Sequence, residues 1–176
     1  TDDAEIDLLR RRGVRVAHMP LSNCEVGGGI APVPAMLESG LRPGVGTDGL
    51  FNSPFEVMRA AYLIHKGNQR SLQVMPADVV LQMATAWGAT AVGFESAGTL
   101  EAGNAADLIG VALELDTPLA SHNACEQAAL FRDVEDVDLT MVGGEVLMEH
   151  GEIRTLDIGA VRSHAQEQAR RLWGGA

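Results

Sequence analysis

The seven residues Pro43-Gly44-Val45-Gly46-Thr47-Asp48-Gly49 constrain this chain more than any other stretch. They read as a short buried strand that ends by presenting one carboxylate in a glycine-flanked turn. An aspartate at the carboxyl end of a barrel-type strand has little freedom to re-aim. Such strand ends are where metal ligands and proton-transfer groups sit. Asp48 also reads as a plain turn aspartate that accepts backbone N–H bonds, because Asp before Gly is ordinary turn chemistry. The segment alone leaves both readings open.

The flanking sequence places that strand in an alternating pattern. Residues 3 to 12 set Ile6, Leu8 and Leu9 among charges, as a surface helix does. Arg10-Arg11-Arg12 and Gly13 suit its C-terminal end, where cations favour the macrodipole and glycine stops the helix. Val14 to Met19 is a short buried strand, Leu21 to Gly29 a loop, and Pro32 to Ser39 a helix stopped by Gly40. After the strand of residues 43 to 48, Pro54 stands at a helix N1 position. Phe55, Met58, Ala61, Tyr62 and Ile64 mark one face of that helix as far as Lys66, with Gly67 ending it. A further helix is expected from Ala77 to Ala91, just after Pro76. Strand and helix in alternation are the mark of a parallel βα architecture.

Beyond Gly93 the character changes. Glycines punctuate short runs at Leu108 to Leu113, Leu139 to Val142 and Glu145 to Met148, which read as antiparallel strands. Gly143-Gly144 between two of them is a hairpin signal, and Asp157 to Leu172 reads as a closing helix. The expected division is therefore residues 1–93, 94–156 and 157–176, with the first boundary near Phe94.

Composition narrows the class. A chain of 176 residues that is 46% hydrophobic can bury a real core. A formal charge of −11 argues against nucleic acid or an anionic membrane as partner, since both need clustered cations. Cys24 and Cys125 are far apart and show no zinc-site spacing, so no disulfide framework is expected and a reducing cytoplasm fits best. No run reaches the roughly 18 apolar residues of a membrane span, and Thr1-Asp2-Asp3 lacks the basic start of a signal peptide. The chain opens directly into a helix without an initiator methionine, as a piece cut from something longer does.

Several ordered motifs carry a family resemblance. They are Val16-Ala17-His18-Met19-Pro20-Leu21-Ser22-Asn23, Gly27-Gly28-Gly29-Ile30-Ala31-Pro32-Val33-Pro34, Gly46-Thr47-Asp48-Gly49, Phe55-Glu56-Val57-Met58-Arg59, Ala84-Thr85-Ala86-Trp87-Gly88-Ala89, and Gly98 through Leu108. Together they resemble the metal-dependent amidohydrolase superfamily. The likeness is to the branch with the cytosine, guanine and adenosylhomocysteine deaminases and the triazine chlorohydrolases, and it runs along nearly the whole chain.

The resemblance implies the C-terminal part of a (β/α)8 barrel joined to a portion of a small β-sandwich and a terminal helix. Residues 14 to 19 would be the seventh barrel strand, residues 43 to 48 the eighth, and residues from about 99 onward the sandwich portion and last helix. By the same resemblance Asp48 would bind a divalent metal, zinc or iron, and accept a proton from its bound water. Hydroxide would then attack a ring carbon of a nitrogen heterocycle bearing an amino or halide leaving group. The family's other metal-binding histidines and its acid/base glutamate have no counterpart here. One carboxylate cannot hold a catalytic zinc, which takes about three protein ligands.

Other candidates rank below Asp48. His18 would lie near the pocket mouth and could touch substrate. Asn52 and Ser53 would follow the aspartate over the active-site face, although Ser53 before Pro54 is also a natural N-cap. Ser22 and Asn23 read as braces of the loop after the seventh strand. His65, His122, His150 and His164 read as surface or packing residues. The favoured reading is a part of an amidohydrolase-like deaminase or chlorohydrolase, completed by the missing N-terminal barrel half in the same original chain or a companion polypeptide. One alternative is a non-catalytic scaffold or regulatory remnant that folds against a partner. A stand-alone enzyme using Asp48 with His18 would leave open sheet edges that invite aggregation. An oligomer is expected.

Overall fold

The computed structural model describes residues 2–49, 51–112 and 116–174. The chain starts with α1 (Asp3–Arg11), capped by Asp2 and Glu5 in a reciprocal capping box. Arg10 and Arg11 both pair with Asp7 on this helix, so two of the three consecutive arginines are engaged locally. Ile6 turns inward and meets Met36 and Leu41 in a small cluster between α1 and α3 (Val33–Glu38).

Two parallel strands lead to Asp48. β1 (Ala17–His18) pairs with β2 (Gly44–Val45), with Ala17 opposite Gly44 and His18 opposite Val45. Flanking bonds from Gly44 N–H to the Val16 carbonyl and from Gly46 N–H to the His18 carbonyl extend the contact to about the expected spans. The regular ladder is shorter than expected because, among the described residues, each strand has one neighbour only. The connection between the strands holds a correction. Residues Pro20–Glu25 form a short helix, α2, where a loop was expected; Pro20 starts it at N1 and Val26 closes it ahead of the glycines.

Helices cover the strands. α4 (Pro54–Gln69) buries Phe55, Met58, Ala61 and His65 at the three- and four-residue spacing of one face. It runs past Gly67, the expected stop, to Arg70, which takes the left-handed cap at φ 52°. Lys66 donates to the carbonyls of Leu72 and Val74 in the returning chain. The expected single helix of residues 77 to 91 is two, α5 (Ala77–Ala84) and α6 (Ala86–Val92). Thr85 breaks it, its hydroxyl bonding back to the Leu81 carbonyl at 2.7 Å. The break brings Gly88 against the strand: a Cβ on Gly44 would stand 3.0 Å from Gly88 Cα and 3.2 Å from Ala91 Cβ.

The second sheet is antiparallel, in the order β3-β4-β5-β6. β3 (Leu108–Val111) falls where expected, and Leu113, the expected end of that run, lies outside the described residues. β4 (Val137–Val142) and β5 (Glu145–Glu149) form the hairpin through Gly143 and Gly144, both at positive φ. β6 (Glu152–Ile153) and α7 (Ala124–Leu130) were not foreseen, and α8 (Ile158–Trp173) closes the chain with no buried residue. α7 packs on α4 and α5, and its Ala129 joins the main core of Val33, Phe55, Met58, Ala61, Met75, Val80 and Met83. No helix among the described residues is long and apolar enough to cross a membrane.

One buried polar contact ties β1 to α4. His18 Nε2 lies 3.1 Å from His65 Nε2, and the two residues are 3% and 1% exposed. One ring must donate and the other accept, so the pair is stable when both are neutral. Burial, with the neighbouring ring second, lowers the His18 pKa to about 4, and burial lowers that of His65.

Three expectations follow from this packing. Gly44→Ala should destabilise the fold by about 1–3 kcal/mol through overpacking against α6. Gly67→Ala, inside α4 with nothing within 4 Å of the new methyl, should instead stabilise it by about 0.5–1 kcal/mol; thermal or urea unfolding reads both signs. Because the unfolded chain takes up a proton at His18 below pH 6.5 and the fold does not until about pH 4, with His65 displaced in the same direction by burial, stability should be full above pH 6.5. It should fall through that window, by on the order of 3 kcal/mol for His18. His18→Gln should flatten the fall, and an unchanged pH slope in that variant contradicts the neutral pair.

Candidate active site at the strand ends

Parallel pairing puts the carboxyl ends of β1 and β2 on the same edge, and the candidate residues gather there. β2 runs on through Gly46 and Thr47 to Asp48, which adopts φ 57° in the left-handed region. Asp is one of the few non-glycine residues that visits this region, because its short polar side chain can bond locally. It does so here: Gly49 N–H donates to Asp48 Oδ1 at 2.8 Å. The second carboxylate oxygen is held from the other strand. Ser22 Oγ, in α2 just beyond β1, donates to Oδ2 at 2.5 Å.

These bonds set the charge as well as the position. The Ser22 hydroxyl, and after it the Gly49 amide, hold the Asp48 carboxyl below the usual carboxylate range, so the group is ionised at neutral pH. The side chain is exposed at the strand-end edge. Each oxygen accepts one hydrogen bond and retains a further acceptor site. The arrangement can therefore take a proton or offer a ligand atom without breaking its anchors.

The remaining candidates are placed differently. His18 is buried and turned onto His65, with its Nδ1 buried and without a partner among the described residues. Ser53 is 8% exposed and serves as the N-cap of α4, accepting from Glu56 N–H. The same hydroxyl donates to Asp133 Oδ1 at 3.2 Å, and Asp133 pairs with Arg59 at 2.9 Å. Ser53 thus braces α4 against the segment after α7, the N-cap alternative of the sequence reading. Asn52 is exposed in the loop between Asp48 and α4. The Asn23 carbonyl accepts from Gly28 N–H and closes the loop after α2.

The sequence reading gave Ser22 to loop support and did not connect it to Asp48. Pro20 at a helix N1 position was the available signal that residues 20–25 would turn Ser22 back over the strand ends. His65 was read as a surface or packing residue; it is buried, and no spacing rule links it to a histidine 47 positions away.

These residues do not by themselves make a metal centre. No group of three or more His, Cys, Asp or Glu side chains among the described residues could hold an ion. Asp48 supplies one anionic donor, short of the three that a catalytic zinc takes.

Comparison with known proteins supplies the context. A profile described as the amidohydrolase family matches residues 1–147. The chain is 42% identical over 175 residues to a 5-methylthioadenosine/S-adenosylhomocysteine deaminase of Natronomonas pharaonis, across 97% of this chain and 40% of that protein. Its structure is similar to an adenosine deaminase of Xanthomonas campestris with bound zinc, at a TM-score of 0.90 and 28% identity, over 97% of this chain and 40% of the other. It is also similar to an atrazine chlorohydrolase of Arthrobacter aurescens complexed with zinc, at a TM-score of 0.82 and 25% identity, over 95% of this chain and 38% of the other. The chain spans about 40% of the length of the curated relatives it matches. With its α/β fold matched on these structures and its first 147 residues on the profile, the chain belongs to the amidohydrolase family.

Proposed function

We propose that this chain is the C-terminal part of a metal-dependent hydrolase that deaminates a nitrogen heterocycle. The adenine ring of a 5′-substituted adenosine is the substrate class that its relatives' names favour. The observation that carries the reading is Asp48: an ionised carboxylate at the end of a parallel strand, anchored at both oxygens and open on one side. Residues 1–93 are the barrel segment, with β1 and β2 its seventh and eighth strands. Residues 94–156 are the sandwich portion, and residues 157–176 are the terminal helix.

The missing N-terminal barrel half, in the same original chain or a companion polypeptide, supplies the other metal ligands and most of the pocket wall. A divalent cation, zinc or iron, would supply an activated water in that complete site. Asp48 would contribute one ligand oxygen to it. The carboxylate would also accept the proton of the attacking water and return it to the departing amine, so that ammonia could leave as the water oxygen takes its place on the ring carbon. A chloride leaving group, as on the triazine substrate that one structural neighbour's name implies, fits the same scheme. The free thiols of Cys24 and Cys125 suit a reducing, cytoplasmic setting.

In the full-length protein, Asp48→Asn should lower turnover by about 10²–10⁴-fold while leaving the far-ultraviolet circular dichroism unchanged; an active, folded variant contradicts the reading. The isolated chain exposes Val14, Val26 and Ile30 near its strand layer, apolar surface that the absent half would cover. On size-exclusion chromatography it should elute as an oligomer or aggregate. A well-behaved 18.6 kDa monomer contradicts the incomplete-barrel account.

A further inference from the structure

The two anchors of Asp48 differ in kind. The Gly49 amide belongs to the next residue, so it travels with the turn and fixes the carboxylate only relative to its own backbone. Ser22 reaches Asp48 across 26 residues of sequence and fixes it relative to the rest of the molecule. At 2.5 Å the O–H···O⁻ bond has the length of a charge-assisted hydrogen bond.

Ser22 is itself fixed. It is 6% exposed and sits in the first turn of α2, which begins directly after β1 with the Asn23 N–H bonded to the Met19 carbonyl at 2.9 Å. The residue before Met19 is His18, whose ring is held by His65 of α4. The strand end that launches α2 is therefore tied to the longest helix of the barrel segment.

Resting on the reading of Asp48 given above, we propose that Ser22 is a positioning residue for the reaction. Its hydroxyl sets the rotation of the Asp48 carboxylate, and the His18–His65 contact holds the strand end from which it projects. The torsion that turns a carboxylate is soft and roughly two-fold, so one anchored oxygen does not fix the plane. Asp48 also sits at a left-handed φ that persists only where its surroundings over-determine it. Removing the hydroxyl leaves the backbone of α2 intact, because alanine is a better helix former than serine. The effect therefore falls on the carboxylate and not on the fold.

The test uses the full-length metal-loaded protein with Ser22→Ala and Ser22→Thr, and Asp48→Asn as reference. The readouts are the kinetics of ammonia release from 5′-methylthioadenosine and the retention of metal against a chelator. Ser22→Ala should lower kcat and metal affinity by about 10–100-fold each, the cost of losing a partner that orients a ligand, with KM changed by less than about threefold. Ser22→Thr returns a γ-hydroxyl and should restore both. Ser22→Ala with kcat and metal retention unchanged, a loss confined to KM, or Ser22→Thr as impaired as Ser22→Ala each overturns the assignment. An active Asp48→Asn sinks the reading of the site itself. An inactive Asp48→Asn beside an unimpaired Ser22→Ala sinks only the role of Ser22.

Discussion

The parallel pairing of β1 with β2 is the constraint on which the rest of this molecule depends. Parallel strands end on the same side, so the chain leaving β1 and the chain leaving β2 emerge next to each other. An antiparallel pair would place those exits at opposite edges, and Ser22 could not reach Asp48. The bond between them is what makes the turn after β2 a fixed presentation of charge and not a solvated loop. A carboxylate in the left-handed region is held only as well as its partners hold it, and here one partner comes from each strand.

The strand pair is in turn positioned by close packing behind it. Gly44 and Gly88 bring β2 and α6 to a close backbone approach, in which a Cβ on Gly44 would stand 3.0 Å from Gly88 Cα. Met58, Met75 and Met83 are buried in the main core, where flexible thioether side chains fill irregular gaps. Arg59, Asp133 and Ser53 clip α4 to the segment that follows α7, so the antiparallel part and the strand-helix part share one core. The electrostatics of the site are simple by comparison. One ionised aspartate faces solvent, while the two histidines nearest the strand layer are kept neutral by burial.

Much of this was legible in the residues, and the gaps have physical causes. Asp48 stood out because glycine and strand chemistry around it are local, and local rules read well from sequence. The helices over 3–12 and 54–66 and the Gly143-Gly144 hairpin were legible for the same reason. The split at Thr85 was not, since a continuous apolar pattern hides a break made by one hydroxyl bonding back along the helix. α2 was hidden because six residues running on through Val26 into three glycines carry too little periodicity to separate a helix from a loop. The hydroxyl of Ser53 and the ring of His18 have partners 80 and 47 positions away. No pattern in a single sequence reports contacts at that range.

The central claim is that the Asp48 carboxylate is an inner-sphere ligand in a complete enzyme. Anomalous X-ray diffraction from crystals of the full-length protein, collected at the zinc and iron edges, tests it directly. The account predicts a metal peak about 2.0–2.2 Å from an Asp48 oxygen, with imidazoles from residues outside this chain completing the sphere. A bound metal with Asp48 outside its coordination sphere would contradict it.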